Sequence, residues 1–522
     1  MQHDAFRISI ATCGAIGDGA TLATAAIQDA LDQAGEAGGG TVFVPPGTWL
    51  TGTVFLRSGT TLELHPAARI LGSPDLAAYT QRSWGQHIDR TPWHLIAVCG
   101  VRDVRITGGG TIDGNGPAFW EPCVDDPARR DPERVPPGAY GGLDPITCVP
   151  ERHAGTPQAT LAWIRANKER RPSPMIEITE CENVRIDNVH ITNSAGWLLH
   201  LHNSHRLWIT GVRLSANLMG PNNDGFDITG CQDVLVSDCH LSCCDDAICV
   251  KTTPDSQPIE RVTVTNCVIR TRCVALKFGC AETFHDFKQV TFSNCVVYES
   301  SRAVGIYTKR GGNIDDVTIS NIVCDTRNPF VMNRPIHIQA RVPPTEDGVA
   351  PGRIRNVIIQ GVVCRTDGRM LLSAEQQGQI DGVVIRDLQV ELPMLDDPAL
   401  LADRVSCGQL PHEHPDVVAA RAVVVAKNID RLVLDNLMVR WPQTDSAGRM
   451  VVPADWSFPL KACNGMFDAF FAREEFATEA LPPFALTWAR GVRGGYLSAP
   501  TAVPAPGAPA HDHAQCDWPM RD

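Results

Sequence analysis

The chain of 522 residues is 43% hydrophobic and 20% charged, with 59 acidic against 46 basic residues and a formal charge of -13. That balance argues against a nucleic acid as the main partner, because phosphate binding needs a basic face. No apolar run approaches the ~18 residues of a membrane-spanning helix, which excludes an integral membrane protein of that kind.

The first ten residues hold no basic stretch followed by an apolar one and a small-residue cleavage site. Nineteen cysteines, an odd number, fit a reducing compartment better than a disulfide framework. The expectation is a cytoplasmic protein if Met1 is the native start, and a secreted or periplasmic one if a leader has been removed. Residues 21–31 are Ala-rich with apolar spacing and run into the Gly-rich stretch 35–40. They predict a helix that caps the N-terminal end of the fold.

Beyond this helix the chain repeats. Val104-Arg105-Ile106, Val184-Arg185-Ile186, Leu207-Trp208-Ile209, Val234-Leu235-Val236 and Val262-Thr263-Val264 share one strand-like grammar. Val290-Thr291-Phe292, Val317-Thr318-Ile319, Val357-Ile358-Ile359, Val383-Val384-Ile385 and Leu432-Val433-Leu434 continue it. From Val184 the spacings are 23, 27, 28, 28, 27, 40, 26 and 49 residues, the mark of a solenoid that tolerates insertions. Alternating Val, Ile and Thr without helical spacing means strands, about three short ones per coil of ~25 residues. Asp238-Cys239, Asn266-Cys267 and Asn294-Cys295 follow the first strand of their coils. They are read as an internal Asn ladder beside a column of Cys acting as small apolar filler.

The fold class expected is therefore all-β, a right-handed parallel β-helix with an N-terminal capping helix, forming one domain over residues 1–499. Residues 121–172 break the period as an insertion rich in Pro, Arg and Asp, with a helix expected at 158–170. From about 440 the coil register is lost again, and 500–522 reads as a Pro- and Ala-rich tail.

The densest acidic constellation is Asn222-Asn223-Asp224-Gly225-Phe226-Asp227, followed one coil later by Cys244-Asp245-Asp246-Ala247-Ile248-Cys249-Val250-Lys251. Stacking brings Asp224 beside the Asp245-Asp246 pair, and gathered carboxylates repel, raising at least one pKa. Two bland readings are a calcium site or a solvated turn. The functional one is a general acid and a general base able to cleave a glycosidic bond. In a regular strand Asp245 and Asp246 face opposite sides, so one cleft uses both only if the chain bends there.

With Cys13-Gly14-Ala15-Ile16-Gly17-Asp18-Gly19, Thr41 to Trp49, Gly110-Thr111-Ile112-Asp113-Gly114 and Ser194-Ala195-Gly196-Trp197, these motifs resemble the polygalacturonases, glycoside hydrolase family 28. The resemblance implies hydrolysis with inversion, no cofactor and no metal, and an oligosaccharide or polysaccharide of the pectin type as partner. It makes Asp245 the general acid, Asp224 and Asp246 the pair holding the attacking water, and Asn222 or Asn223 an orienting amide. The family's His between two Gly has no counterpart in Arg272 to Gly279, and its Arg-Ile-Lys is matched only loosely by Gly305 to Gly312. Lys277, Arg302, Lys309 and Arg310 are the cations placed against substrate instead. His202, His337 and Trp197 complete the binding candidates, each with structural packing as the competing reading. An insertion walling off the groove favours release of sugars from a chain end. Two other functions share the fold: a polysaccharide lyase or uronate epimerase, and a non-catalytic glycan-binding protein.

Overall fold

The computed structural model describes residues 6–82, 90–122, 164–166, 170–218, 220, 222–327, 333–342, 348–393, 413–449, 451, 460–462, 470–472, 484–498, 503–505 and 507–521. The described residues form two compact units, one within 6–122 and 164–268 and the other within 269–521.

The first unit opens with the helix Thr24–Glu36, whose Ile27, Ala30, Leu31 and Ala34 are buried against the first strands. It runs beyond the expected segment and stops at Gly38 and Gly39, both at positive φ. Strands then stack in three parallel rows. One row includes Glu182–Asp187, His205–Thr210, Gln232–Ser237 and Ile259–Thr265. A second includes His190–Thr192, Arg213–Ser215 and His240–Cys243. The third holds Ile96–Cys99, Ile176–Thr179, Leu199–His202, Phe226–Thr229 and Ile248–Thr252.

In the second unit the first two rows fuse into long parallel strands, Phe287–Tyr298, Ile314–Asp325, Ile354–Arg365, Ile380–Glu391 and Ile429–Arg440. Its third row runs from Val274–Thr283 through Arg302–Thr308, Arg334–Ala340, Met370–Ala374 and Ala422–Lys427. Each unit is a stretch of right-handed parallel β-helix.

The repeat's Asn and Asp residues sit at left-handed corners: Asn188, Asp238, Asn266, Asn294, Asn321 and Asn436 all have φ between 51 and 57°. Asn and Asp adopt this conformation more readily than bulkier residues, although Arg206, Arg261, Gln289 and Arg431 also take it. The corner turns their side chains outward, so the ladder is external, correcting the internal one expected. Asn321 donates to Asn294 at 3.0 Å on the exposed surface, while Cys239, Cys267 and Cys295 turn inward and are buried. An exposed amide pair adds ~1 kcal/mol or less, against ~1.5–3 kcal/mol for each fully buried Val or Ile, so the inner columns hold the coils together. Twelve of the fifteen described cysteines are buried. Burial pushes the Cys231 thiol up to about 12 and Cys181 up to about 11, which leaves them protonated and inert as packing groups.

Two segments differ from expectation. Ile164–Ala166 is a strand antiparallel to Trp120–Pro122, where a helix was expected; the rest of 158–170, apart from Arg170, lies outside the described residues, as does 123–163. Pairing with Trp120–Pro122 overrides the local helix preference. The coil grammar resumes at Ala485–Arg490 and Arg493–Ser498, and His511–Ala514 and Met520–Arg521 add parallel strands to them. Among the described residues no helix is long and apolar enough to cross a membrane.

Candidate active site

The third row of the first unit is buried on both faces, although its outward positions are polar. Register places Glu177, His200, Asp227 and Cys249 in one outward column, and Thr179, His202, Thr229 and Lys251 in the next.

The turn leading into Phe226–Thr229 carries Asp224. Asn222 lies at φ 52°, and its Oδ1 accepts from the fully buried Arg171 at 3.2 Å. Asn223 donates to the Ser194 and Gly196 carbonyls at 3.2 and 3.0 Å. Both amides are buried and tie the turn together.

One coil on, the chain bends between His240–Cys243 and Ile248–Thr252, and Asp245 and Asp246 lie in that bend. The N–H of Gly225 donates to the Asp246 carbonyl at 2.8 Å, so Asp224 stands level with Asp246. Asp246 donates its N–H to Asp245 Oδ1 at 2.9 Å, and carboxylate oxygens of the two lie within 4.8 Å. Asp224 and Asp246 are each 1% exposed, whereas Asp245 is half-buried. Burial, then the charges of Asp227 and Asp245, hold the Asp224 carboxyl well above the usual carboxylate range, with Lys251 opposing them. The structure thus brings the three expected carboxylates together, one water-facing and two enclosed.

Sequence reading gave no role to Lys251, Asp227, Glu177 and Arg90, which lie beside them. Lys251, 3% exposed, places Nζ 2.7 Å from Asp227 Oδ1 and 3.5 Å from Asp224 Oδ2. The same Nζ sits 4.0 Å over the Trp197 ring, so the buried Trp197 is a floor under an ammonium and offers that face to no sugar. Glu177, fully buried, pairs with Arg90 at 2.9 Å and with His200 Nδ1 at 2.8 Å. The signal was available: charged residues at alternate positions of otherwise apolar four-residue strands.

His202 is buried, bonded to Thr179 Oγ1 at 3.0 Å, and burial with nearby Arg90 lowers its pKa. It is neutral at pH 7.

The second unit gathers cations along its third row. Lys277 stands in register with Gly305 and His337. Lys277, Arg302 and Lys309 are 5, 4 and 1% exposed, and Lys309 Nζ has no hydrogen-bond partner among the described residues. Arg310 is half-buried over Phe284. His337 is fully buried, its pKa held well down by burial and by Arg334, Arg302, Arg369 and Lys309. Its ring meets Tyr307, whose hydroxyl lies 3.2 Å from Nδ1. Tyr307 in turn folds over Gly305, where an added Cβ would lie 2.5 Å from the ring. Gly305→Ala is therefore expected to displace a buried ring and cost ~1–3 kcal/mol, seen as a lower urea midpoint. An unchanged midpoint would show that Tyr307 is free to move.

Residues 159–394 match glycosyl hydrolases family 28, and residues 7–63 match the group described as rhamnogalacturonase A/epimerase, pectate lyase-like. A probable polygalacturonase of Vitis vinifera is 28% identical over 342 residues, 62% of this chain and 61% of that protein. The exo-poly-alpha-D-galacturonosidase of Dickeya chrysanthemi is 28% identical over 251 residues, covering 46% of this chain and 41% of that one. The chain thus spans about three-fifths or less of these relatives' length. A hyperthermoactive exopolygalacturonase from Thermotoga maritima superposes with a TM-score of 0.60 at 19% identity, covering 83% of this chain and 92% of its own. That likeness is one of fold.

Proposed function

We propose that this polygalacturonase-like chain, whose residues 159–394 match glycosyl hydrolases family 28, hydrolyses O-glycosidic bonds of pectin-type oligosaccharides with inversion. The carboxylate cluster of Asp224, Asp245 and Asp246 is the observation that carries this reading. Asp245, the carboxyl open to solvent, protonates the leaving oxygen, and Asp224 with Asp246 activates water. The row of buried cations favours an acidic sugar. Its Lys309 ammonium, 1% exposed and without a hydrogen bond among the described residues, is costly until a carboxylate arrives.

Exo action is favoured by the likeness to the exo-poly-alpha-D-galacturonosidase; the second unit separately has a closed stretch of its own face. There the outward column of Leu371, Val425 and Trp488 is covered by Val417 and Ala420 of the segment around helix Pro415–Ala419. Glu413 adds hydrogen bonds to Ser373 and Gln339. That stretch of the face is closed to a long polymer.

The test is a panel of reduced and unreduced oligogalacturonides beside neutral oligosaccharides, followed by NMR of the first product. The expected result is galacturonate released from the non-reducing end with its anomeric configuration inverted. A product absorbing in the ultraviolet, as an unsaturated uronide does, would overturn hydrolysis in favour of elimination. Release from neutral chains alone would overturn the acidic substrate.

A further inference from the structure

Lys251 belongs to none of the roles above, yet its ammonium is enclosed among the carboxylates. It is 3% exposed, on the outward face of Ile248–Thr252, and touches three side chains of the preceding coils. Nζ lies 2.7 Å from Asp227, 3.5 Å from Asp224 and 4.0 Å from the centre of the Trp197 ring. Trp197 is itself buried and packed against His200, so the site of the ammonium is fixed by rigid groups. A buried cation so placed acts through electrostatics at short range and low dielectric.

We propose that Lys251 is a positioning residue that holds Asp224 in its ionised, water-binding form, with Asp227 as the counter-charge that holds Lys251. This rests on the hydrolase reading of the same site. Asp227 is the nearer partner and takes the ammonium directly, while Asp224 receives the weaker share at 3.5 Å. The groups of this unit facing Asp224 are Asp227 of the strand that follows it, Asp245 and Asp246 of the bend, and Lys251. Three of these four are acidic and oppose ionisation of Asp224. Lys251 works in the other direction, so the fraction of Asp224 able to accept a proton from water depends on it. Lys251 touches no reacting atom in this scheme.

Opposite substitutions give the test. Lys251→Met removes the ammonium, and kcat is expected to fall ~100-fold with KM nearly unchanged, its acid limb moving to higher pH. Lys251→Arg restores part of kcat and returns the limb towards wild type. Asp227→Asn removes one carboxylate facing Asp224 and releases Lys251 to it, so the limb moves to lower pH in any variant that folds. Limbs that move in opposite directions for Met at 251 and Asn at 227 support the assignment, because a purely structural loss leaves the pH profile in place. Limbs that stay at the wild-type pH, or move the same way in both variants, overturn it. A wild-type protein inactive on every oligosaccharide would instead refute the hydrolase reading itself.

Discussion

Asp245→Asn is expected to lower kcat on an oligogalacturonide by ~10²–10⁴-fold, the usual worth of a positioned general acid, with KM little changed. The geometry gives the reason for choosing this carboxyl over its neighbours. Asp224 and Asp246 are enclosed, while Asp245, half-buried at the bend after Cys243-Cys244, is the most exposed of the three. One of its oxygens accepts the Asp246 N–H at 2.9 Å, which fixes the carboxyl's orientation. Asn preserves that acceptor and the shape, so the fold is untouched and the loss is chemical. Reducing-sugar release by purified wild type and variant, with matching circular dichroism, checks it. The double variant with Asp224→Asn should be scarcely worse than the single, because the acid and the base act as a unit. An Asp245→Asn protein retaining more than a tenth of wild-type kcat would sink the three-carboxylate mechanism.

Much of the coil was readable because its corners demand special residues. A left-handed corner selects Asn, Asp or Gly, and the Val and Ile beside it must alternate to fill the inner columns. Spacing therefore revealed both the period and the strands. The ladder's side was not readable in the same way, since an Asn hydrogen bond satisfies an amide equally inside or outside. The backbone handedness at Asp238 and Asn266 decides it, and that appears only in the folded corner. The pairing of Asp224 with the Asp245-Asp246 bend was legible for the same reason as the coils: a short coil without insertion keeps its register. Glu177 and Lys251 escaped because the coil lengths between them vary, so the face they share with His200 emerges only once register is known. The helix expected at 158–170 failed at Ile164–Ala166, where pairing with Trp120–Pro122 outweighs propensity.

Glu177→Ala is expected to be the most destabilising single change in the first unit, by ~3–5 kcal/mol, since it strips the counter-charge from a buried cation. Glu177 is fully buried, and the Arg90 side chain facing it at 2.9 Å is 5% exposed. Its other oxygen accepts from His200 Nδ1 at 2.8 Å, which leaves His200 Nε2 to accept the Thr229 hydroxyl at 2.9 Å. Removing the carboxylate leaves Arg90 charged in a dry site and frees the imidazole to turn. The consequence reaches the active site, because His200 packs against Trp197, and Trp197 supports Lys251. Stability and kcat should therefore fall together. Glu177→Gln separates the two effects: the amide oxygen still orients His200 while the Arg90 charge goes unmatched. It should lose most of the stability and keep most of the kcat of whatever fraction folds. Urea unfolding followed by tryptophan fluorescence, beside active-site titration, reads both quantities. A Glu177→Ala midpoint equal to wild type would mean that water reaches Arg90 and that the network is no support for the site.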